Sequence, residues 1–565
     1  MLFTSSLGLA TVALSLLRLS VAQSNTFVNP VIPGWHSDPS CIQIDGTYLC
    51  VTSTFIAFPG LPVYASKDLI NWKLASHVWN RQDQLPDMSW DTPGQQDGMY
   101  AATIRYRDGI YYVICEYLGT SQGLHGVLFK STDPFSDEGW SDPVTFQPGN
   151  IDPDLFWDDD GSVWVATAGI SLRTIDLETG QLGEDNMVWG GTGGVAPEGP
   201  HIYKKDGWYY LMIAEGGTNY YHSITIARSQ NILGPYESYE QNPILTNRGT
   251  GEYFEFIGHG DLFQDPSGNW WGACLGVRLG EQNSMPMGRE TFLFNATWNE
   301  GQWPMLQPVR GRMPGDSLPT QDLNVDGKGP FVTDDDNYTF QPGSAIPPHF
   351  LYWRTPRDGG FSVTLNGLEI VPTRNNLTGI PGSAEQIELS GQRGLAFIGR
   401  RQTHTLFNFY IDVSFDPQAD NQEAGVTIFR TQLDHIDLGI LRRNSEMLLR
   451  FKAEGSTSLP QLQEIPVPDG WEDGNIRLQI AAKNATHFEF SAIAGDFSSE
   501  VYMGTAAAAI VSGGAGEFVG SLLGAYATCN GEGSGEACPD GGNTYVVNWV
   551  YEGISQQIDH DEFYP

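Results

Sequence analysis

Three carboxylic acids recur in one phase of a repeating pattern: Asp38 before Pro39, Asp152 before Pro153, and Glu198 before Gly199-Pro200. Each stands eight or nine residues upstream of a hairpin glycine, at Gly46, Gly161 and Gly207 respectively. Acids projected from the same place in three units build one shared site. Their chemistry is that of paired carboxylates, in which one acid protonates a leaving oxygen while the other attacks or activates water. The two need opposite protonation states at one pH. A third acid beside the donor can raise its pKa, because adjacent like charges do not both ionise cheaply. Hydrolysis of a glycosidic bond sets these requirements. A single Asp-Pro is far more often a turn; the shared phase outweighs that reading, because turn acids have no reason to choose the inner strand repeatedly.

The elements that position these acids are hairpins. Aromatic-rich segments turn at Asp45-Gly46, Asp108-Gly109, Asp160-Gly161, Asp206-Gly207 and Ser267-Gly268. Counting back from the second and fifth turns reaches Tyr100 and His259 instead of an acid. The five glycines are 63, 52, 46 and 61 residues apart, lengths that suit one four-stranded blade per repeat. Helical periodicity is scarce while short alternating runs and Gly/Pro turns are frequent, so the fold class is all-β. The repeats predict a five-bladed β-propeller over residues 23–310, with each acid at the channel end of an innermost strand. A Gly-, Pro- and Asp-rich connector follows over 311–336. Alternating strands over 337–565 predict a β-sandwich. Taken alone, Asp158-Asp159-Asp160 reads as a solvated turn and His259 as a structural histidine.

With 565 residues the chain exceeds one ordinary core. Residues 1–22 carry an apolar run, Leu7 to Leu19, and small residues Ser20-Val21-Ala22 at a cleavage point, which predicts a secretory signal and an extracellular protein. No other run is long enough to span a membrane. Cys41 and Cys50 flank Asp45-Gly46 symmetrically and face each other across that hairpin, so a disulfide is expected there; Cys529 and Cys538 bracket a Gly-rich loop and form a second. Cys115 and Cys274 lie in apolar runs as buried thiols. Asn295, Asn337, Asn376 and Asn484 head Asn-x-Ser/Thr sequences and are glycosylation candidates in a eukaryotic source. A formal charge of −37 argues against nucleic acid or an anionic membrane as partner.

The strings Trp35-His36-Ser37-Asp38-Pro39-Ser40, Asn150-Ile151-Asp152-Pro153-Asp154 and Ala196-Pro197-Glu198-Gly199-Pro200 together resemble the three acidic motifs of glycoside hydrolase family 43. The likeness continues through Phe58-Pro59-Gly60, Ala214-Glu215-Gly216-Gly217-Thr218, Gly258-His259-Gly260-Asp261 and Gly288-Arg289-Glu290-Thr291. It extends to the terminal region, which is similar to the concanavalin A-like sandwich appended to that family's xylosidases and arabinofuranosidases. The resemblance implies an inverting glycosidase with Asp38 as general base, Glu198 as general acid and Asp152 as the residue that orients Glu198 and tunes its pKa. It implies that Arg289 binds the sugar and that Trp35, Phe55, Phe58, Tyr100 and Thr218 line the substrate pocket. No cofactor is implied for the chemistry; His259 would hold a water or a structural calcium in the channel. The substrate class is arabinoxylan-type hemicellulose, with arabinofuranosyl side chains preferred and xylo-oligosaccharides as the alternative. Relatives commonly read Trp-Ala-Pro where this chain has Tyr100-Ala101-Ala102, which leaves the choice of sugar open. A non-catalytic carbohydrate-binding propeller is a further alternative. Invertase-type propellers are disfavoured, because their Asn-Asp-Pro-Asn and Arg-Asp-Pro strings are absent. For the sandwich, the readings are a binding module, a stabilising cap, or one wall of the pocket.

Overall fold

The computed structural model describes residues 26–565 except 90, 91, 93, 121, 122, 383–393, 472, 473, 513–517 and 536. The expected signal at 1–22 therefore lies outside the described residues. The chain folds as a five-bladed propeller followed by a two-sheet sandwich. The blades are antiparallel sheets that begin at Ser40–Ile44, Thr103–Arg107, Asp154–Trp157, Glu198–Lys205 and Phe254–Gln264, each entering one of the five glycine turns. At three of those turns both central residues have positive φ: Asp45 and Gly46, Asp108 and Gly109, Asp206 and Gly207. This is the type I′ geometry whose twist matches antiparallel strands. The Cys41–Cys50 disulfide joins directly opposed residues across the first hairpin, and Cys529–Cys538 is also bridged; Cys115 and Cys274 are free and buried.

Within a blade the second strand is packed on both faces by neighbouring blades. Trp208–Glu215 accordingly reads as a continuous buried run, Tyr209 through Glu215, with no alternation. The sandwich differs. In Leu406–Phe415 the side chains of Phe407, Phe409 and Ile411 point into the core and alternate with half-buried neighbours. They meet Val426 and Ile428 from the opposite sheet, and full burial of each such side chain contributes about 1.5–3 kcal/mol.

Each blade takes its strands from one stretch of the chain, so no strand is exchanged to close the ring. Closure falls to residues 26–36. Thr26–Val28 pairs with Arg312–Pro314, and the Asn29 side chain exchanges hydrogen bonds with the Leu293 backbone, donating at 2.9 Å and accepting at 2.9 Å. His36 N–H donates to Arg289 O at 2.8 Å. Closure thus sets the segment carrying Asp38 beside the strand Arg289–Thr297.

The two domains are joined through backbone. Ala57–Phe58, a loop of the first blade, pairs antiparallel with Leu351–Trp353 and becomes the edge strand of an eight-stranded sandwich sheet. The segment predicted as a connector packs against the first blade, where Leu74 N–H donates to Pro330 O at 3.0 Å, and the strand Asp336–Thr339 already belongs to the sandwich.

Candidate active site

The upstream ends of the inner strands converge at one mouth of the channel. Asp38, Asp152 and His259 share a left-handed backbone, with φ of 53°, 60° and 47°. Such conformations cost non-glycine residues about 1–3 kcal/mol each and recur where surrounding structure over-determines them. The turn redirects each side chain from the blade stack into the channel. Asp38 is buried; its Oδ2 accepts a hydrogen bond from Ser53 Oγ at 2.6 Å, and its Oδ1 lies 3.6 Å from Arg289 Nη1 and 3.8 Å from His259 Nδ1. Asp152, also buried, accepts from Gly199 N–H at 2.9 Å, which ties it to the residue after Glu198. Gly199 has φ +56° and stands against the imidazole of His259, where an added Cβ would meet ring atoms at 3.0 Å. A side chain there would press on the imidazole, so glycine gives the closest approach of the two strands.

The loop before Glu198 is held by a buried carboxylate. Glu215 accepts from Thr192 N–H at 2.8 Å, Thr192 Oγ1 at 3.0 Å, Gly194 N–H at 3.2 Å and Thr225 Oγ1 at 2.6 Å. It clamps the glycine-rich loop 190–194 that leads into Ala196-Pro197-Glu198. Burial pushes the Glu198 carboxyl up to about 7, with Arg289 opposing and Asp38 adding to the shift. Asp152 is raised well above the ordinary carboxylate range, by burial first and then by Glu198 and Glu116. Burial holds His259 down at about 4, in its neutral form.

Glu116 was not anticipated from sequence. It lies in the strand Ile110–Thr120, fully buried, and neither carboxyl oxygen has a hydrogen-bond partner. Burial raises it to about 8, which the nearby Asp152 peptide N–H offsets only in part. The signal was a single charge inside Val113-Ile114-Cys115-Glu116-Tyr117-Leu118. The mouth therefore gathers four acids.

Further along the same inner strands lies a second ring. Arg105 donates to Asp261 Oδ2 at 2.8 Å and to Asp154 Oδ2 at 2.9 Å, and its Nη2 lies 3.0 Å from His201 Nδ1. Asp261 also accepts from Ser40 Oγ at 2.7 Å and Tyr203 Oη at 2.8 Å. All five blades contribute. Burial alone would raise Asp261, but Arg105 and His201 hold it well below the ordinary carboxylate range. This ring corrects the expectation of a channel calcium near His259. Among the described residues no group of three or more His, Cys, Asp or Glu is arranged to hold a metal ion. The carboxylates beside His259 already face a guanidinium, so the donor set does not fit a calcium. The ring was legible in part: Asp38-Pro39-Ser40, Asp152-Pro153-Asp154 and His259-Gly260-Asp261 each repeat a polar residue at the second position, on the same strand face.

The remaining predicted residues divide. Arg289 reaches the site: Glu290 pairs instead with Arg278 at 2.7 Å, leaving Arg289 facing Asp38 with its buried Nη2 unpartnered. Phe55 and Tyr100 meet edge to face at 5.1 Å beside the mouth. Trp35 is fully buried one layer back, stacked on Phe55 at 6.1 Å. Phe58 packs edge-on against Trp79 at 5.1 Å in the strand that pairs with the sandwich. Thr218 lies in the loop between Trp208–Glu215 and Ser223–Ser229. Asn337 and Asn484 are exposed, whereas Asn295 and Asn376 are half-buried.

The sandwich supplies a residue that no local spacing announced. Phe518 O accepts from Ser37 Oγ at 3.0 Å, and the Phe518 ring stacks on Phe55 at 6.0 Å and lies 4.4 Å from the Arg289 guanidinium carbon. Its N–H donates to Gln96 Oε1 at 2.8 Å. The sandwich thus touches Ser37, next to Asp38, and the Arg289 that faces it.

Comparison with known proteins agrees with this architecture. The profile described as Glycosyl hydrolases family 43 matches residues 27–304, and that of the Beta xylosidase C-terminal Concanavalin A-like domain matches 337–539. A non-reducing end α-L-arabinofuranosidase of Bacteroides ovatus is 34% identical over 540 residues, covering 92% of this chain and 94% of the relative. A xylosidase/arabinosidase of Butyrivibrio fibrisolvens is 29% identical, covering 90% of this chain and 97% of its own length. Among solved structures, a xylan β-1,4-xylosidase from Bacillus halodurans superimposes with a TM-score of 0.79 at 25% identity, over 93% of this chain and all of the other.

Proposed function

Because the chain belongs to glycoside hydrolase family 43, we propose that this glycosidase is a secreted, inverting α-L-arabinofuranosidase that removes side chains from arabinoxylan-type hemicellulose. The observation that carries the reading is the contrast between two acids at one mouth. Asp38 accepts from Ser53 and faces Arg289, while burial holds the proton on Glu198 up to about 7. Asp38 takes a proton from water as that water attacks the anomeric carbon. Glu198 gives its proton to the departing glycosidic oxygen, so the bond to the aglycone breaks as the new C–O bond forms. Asp152, hydrogen-bonded to Gly199, orients Glu198, and the charge of Asp38 disfavours ionisation of Glu198. In this reading Arg289, which faces Asp38, donates to a sugar hydroxyl, and the half-buried Tyr100 and Phe518 supply apolar faces for the ring, with Phe55 packed behind them.

The arabinose reading draws on the Bacteroides relative. The specific observation favouring exo-β-1,4-xylosidase activity instead is the likeness to the Bacillus enzyme across both domains. Two disulfides suit an oxidising compartment, in keeping with the signal expected at 1–22. The deciding experiment follows hydrolysis of singly and doubly substituted arabinoxylan oligosaccharides by NMR. Arabinose released first in the inverted anomeric form is expected. A retained anomer would remove the roles given to Asp38 and Glu198; xylose alone would select the second reading.

A further inference from the structure

We propose that the loops flanking Glu198 form a subsite for the leaving-group side of the substrate, where Tyr220 and Tyr221 stack a neutral chain of pyranose sugars, bordered by Val195 and Arg248. The subsite rests on the reading of Glu198 as proton donor and adds what that acid faces beyond the scissile bond. Tyr220, Tyr221 and Val195 are 45%, 61% and 69% exposed. The two tyrosine rings meet edge to face at 5.4 Å, and the Arg248 guanidinium carbon lies 5.3 Å from the centre of the Tyr221 ring. Large apolar side chains gathered at a surface mark a contact site. Tyrosine offers a broad face and a hydroxyl there, at low entropic cost.

The topology puts these residues on the face of the propeller where the acids open. Glu198 pairs with Ala214 and Ala214 with Ile224, so the loop 216–222 leaves its blade at the level of the acid. Val195 stands three residues before Glu198, at most about 11 Å along the chain. Its carbonyl accepts from Gly216 N–H at 2.9 Å, and Gly216 lies so close under Tyr221 that a Cβ would meet Tyr221 O at 1.9 Å. Arg248 follows Leu245, which bridges to Ile224, and so rises at the same end. The loop is anchored. His222 N–H donates to Asn219 O at 2.8 Å, and His222 O accepts from Thr246 Oγ1 at 3.0 Å. Gly258, next to His259, packs against the buried His222 ring.

The occupant follows from the chemistry. In an inverting reaction the water activated by Asp38 and the departing oxygen lie on opposite sides of the anomeric carbon. The released sugar sits between Asp38 and Glu198, and the rest of the substrate extends past Glu198 onto these loops. The two sides are built accordingly. Near Asp38 the aromatics are packed shut, with buried Phe55 stacked on Trp35 and Phe518. Beside Glu198 the tyrosines stand in solvent, an open surface that accommodates a chain. A formal charge of −37 disfavours an acidic polysaccharide.

The test uses the full chain and compares kcat/KM across substrates that release one pentose from leaving groups of increasing length, from a single xylose to xylotetraose. A rise of about tenfold from the shortest to the longest is expected. Tyr220→Ala and Tyr221→Ala should each flatten that rise, chiefly through KM, and Tyr221→Trp should keep it. Circular dichroism checks the fold, and because the two exposed side chains are changed separately, one folded variant suffices. A parent indifferent to leaving-group length, or alanine variants that keep the rise, overturn the proposal. A flat series beside a dimer that Tyr221→Ala dissociates would give the surface to a second copy of the chain and overturn it equally. Release of xylose alone revises the sugar and not the subsite, and the same slope is then read on xylo-oligosaccharides. Absence of hydrolysis on every substrate would remove the functional reading and the subsite with it, whereas a flat series on an active enzyme removes the subsite alone.

Discussion

Two groups of polar side chains surround the channel, one carried by the inner strands and one gathered at their mouth, and they are built to different rules. In the inner ring two carboxylates are bridged by one guanidinium: Arg105 donates to Asp154 and Asp261, and Ser40 and Tyr203 donate to Asp261 as well. In the ring at the mouth, acids outnumber cations. Asp38, Glu116, Asp152 and Glu198 share Arg289, and three of the four are raised by burial. The difference teaches where reactivity is stored. The hydrogen-bonded ring around Arg105 links five blades at a modest net gain, because buried ion pairs return little beyond their desolvation cost. The unmatched ring keeps a proton on Glu198 near neutrality, which a general acid requires.

Breaking the mouth should have the largest effect. Glu198→Gln removes the proton donor and should lower kcat on arabinoxylan oligosaccharides by about 10²–10⁴-fold with the fold intact by circular dichroism. Unchanged hydrolysis would return the molecule to the non-catalytic binding reading. Breaking the inner ring should act on stability instead. Arg105→Met leaves Asp154 and Asp261 buried without their cation and should cost about 3–5 kcal/mol in chemical denaturation. A variant as stable as the parent would show that the ring is not what holds the channel.

The smallest effect sharpens the contrast through pH. Glu116 has an ordinary value of 4.5 and is raised to about 8 by burial. Between those values the folded protein keeps a proton that the unfolded chain has released, so stability falls as pH rises across the window. Glu116→Gln should flatten that fall, by an amount on the order of a few kcal/mol. It should also remove the charge that Glu116 acquires beside Asp152 at alkaline pH, and so alter the alkaline limb of the rate profile. Coincident stability curves for parent and variant between pH 5 and 9 would contradict the burial argument.

The glycine turns made the propeller readable, because a type I′ turn needs left-handed residues at a fixed place and Asp-Gly supplies them locally. The acids were readable through their constant offset from those turns. Cys41 and Cys50 were readable because hairpin register is a local property. Glu116 and Arg105 were not singled out, since a charge within a strand says nothing of what it faces across a channel. Trp35 and Phe58 show the converse: aromatic residues beside the motifs turned out packed at the domain joint.

The sequence by itself determined the blade count, the phase that brings Asp38, Asp152 and Glu198 to one mouth, and the local cross-links. Only the tertiary structure decided which charges are paired, that Arg105 occupies the channel where a water or a calcium was expected, and that Phe518 packs with Ser37 and Phe55. The physical reason is range. Turn geometry and strand alternation act over a few residues and leave a spacing behind. Compensation of a buried charge depends on every group within a few ångströms, and here those groups come from five blades and a second domain.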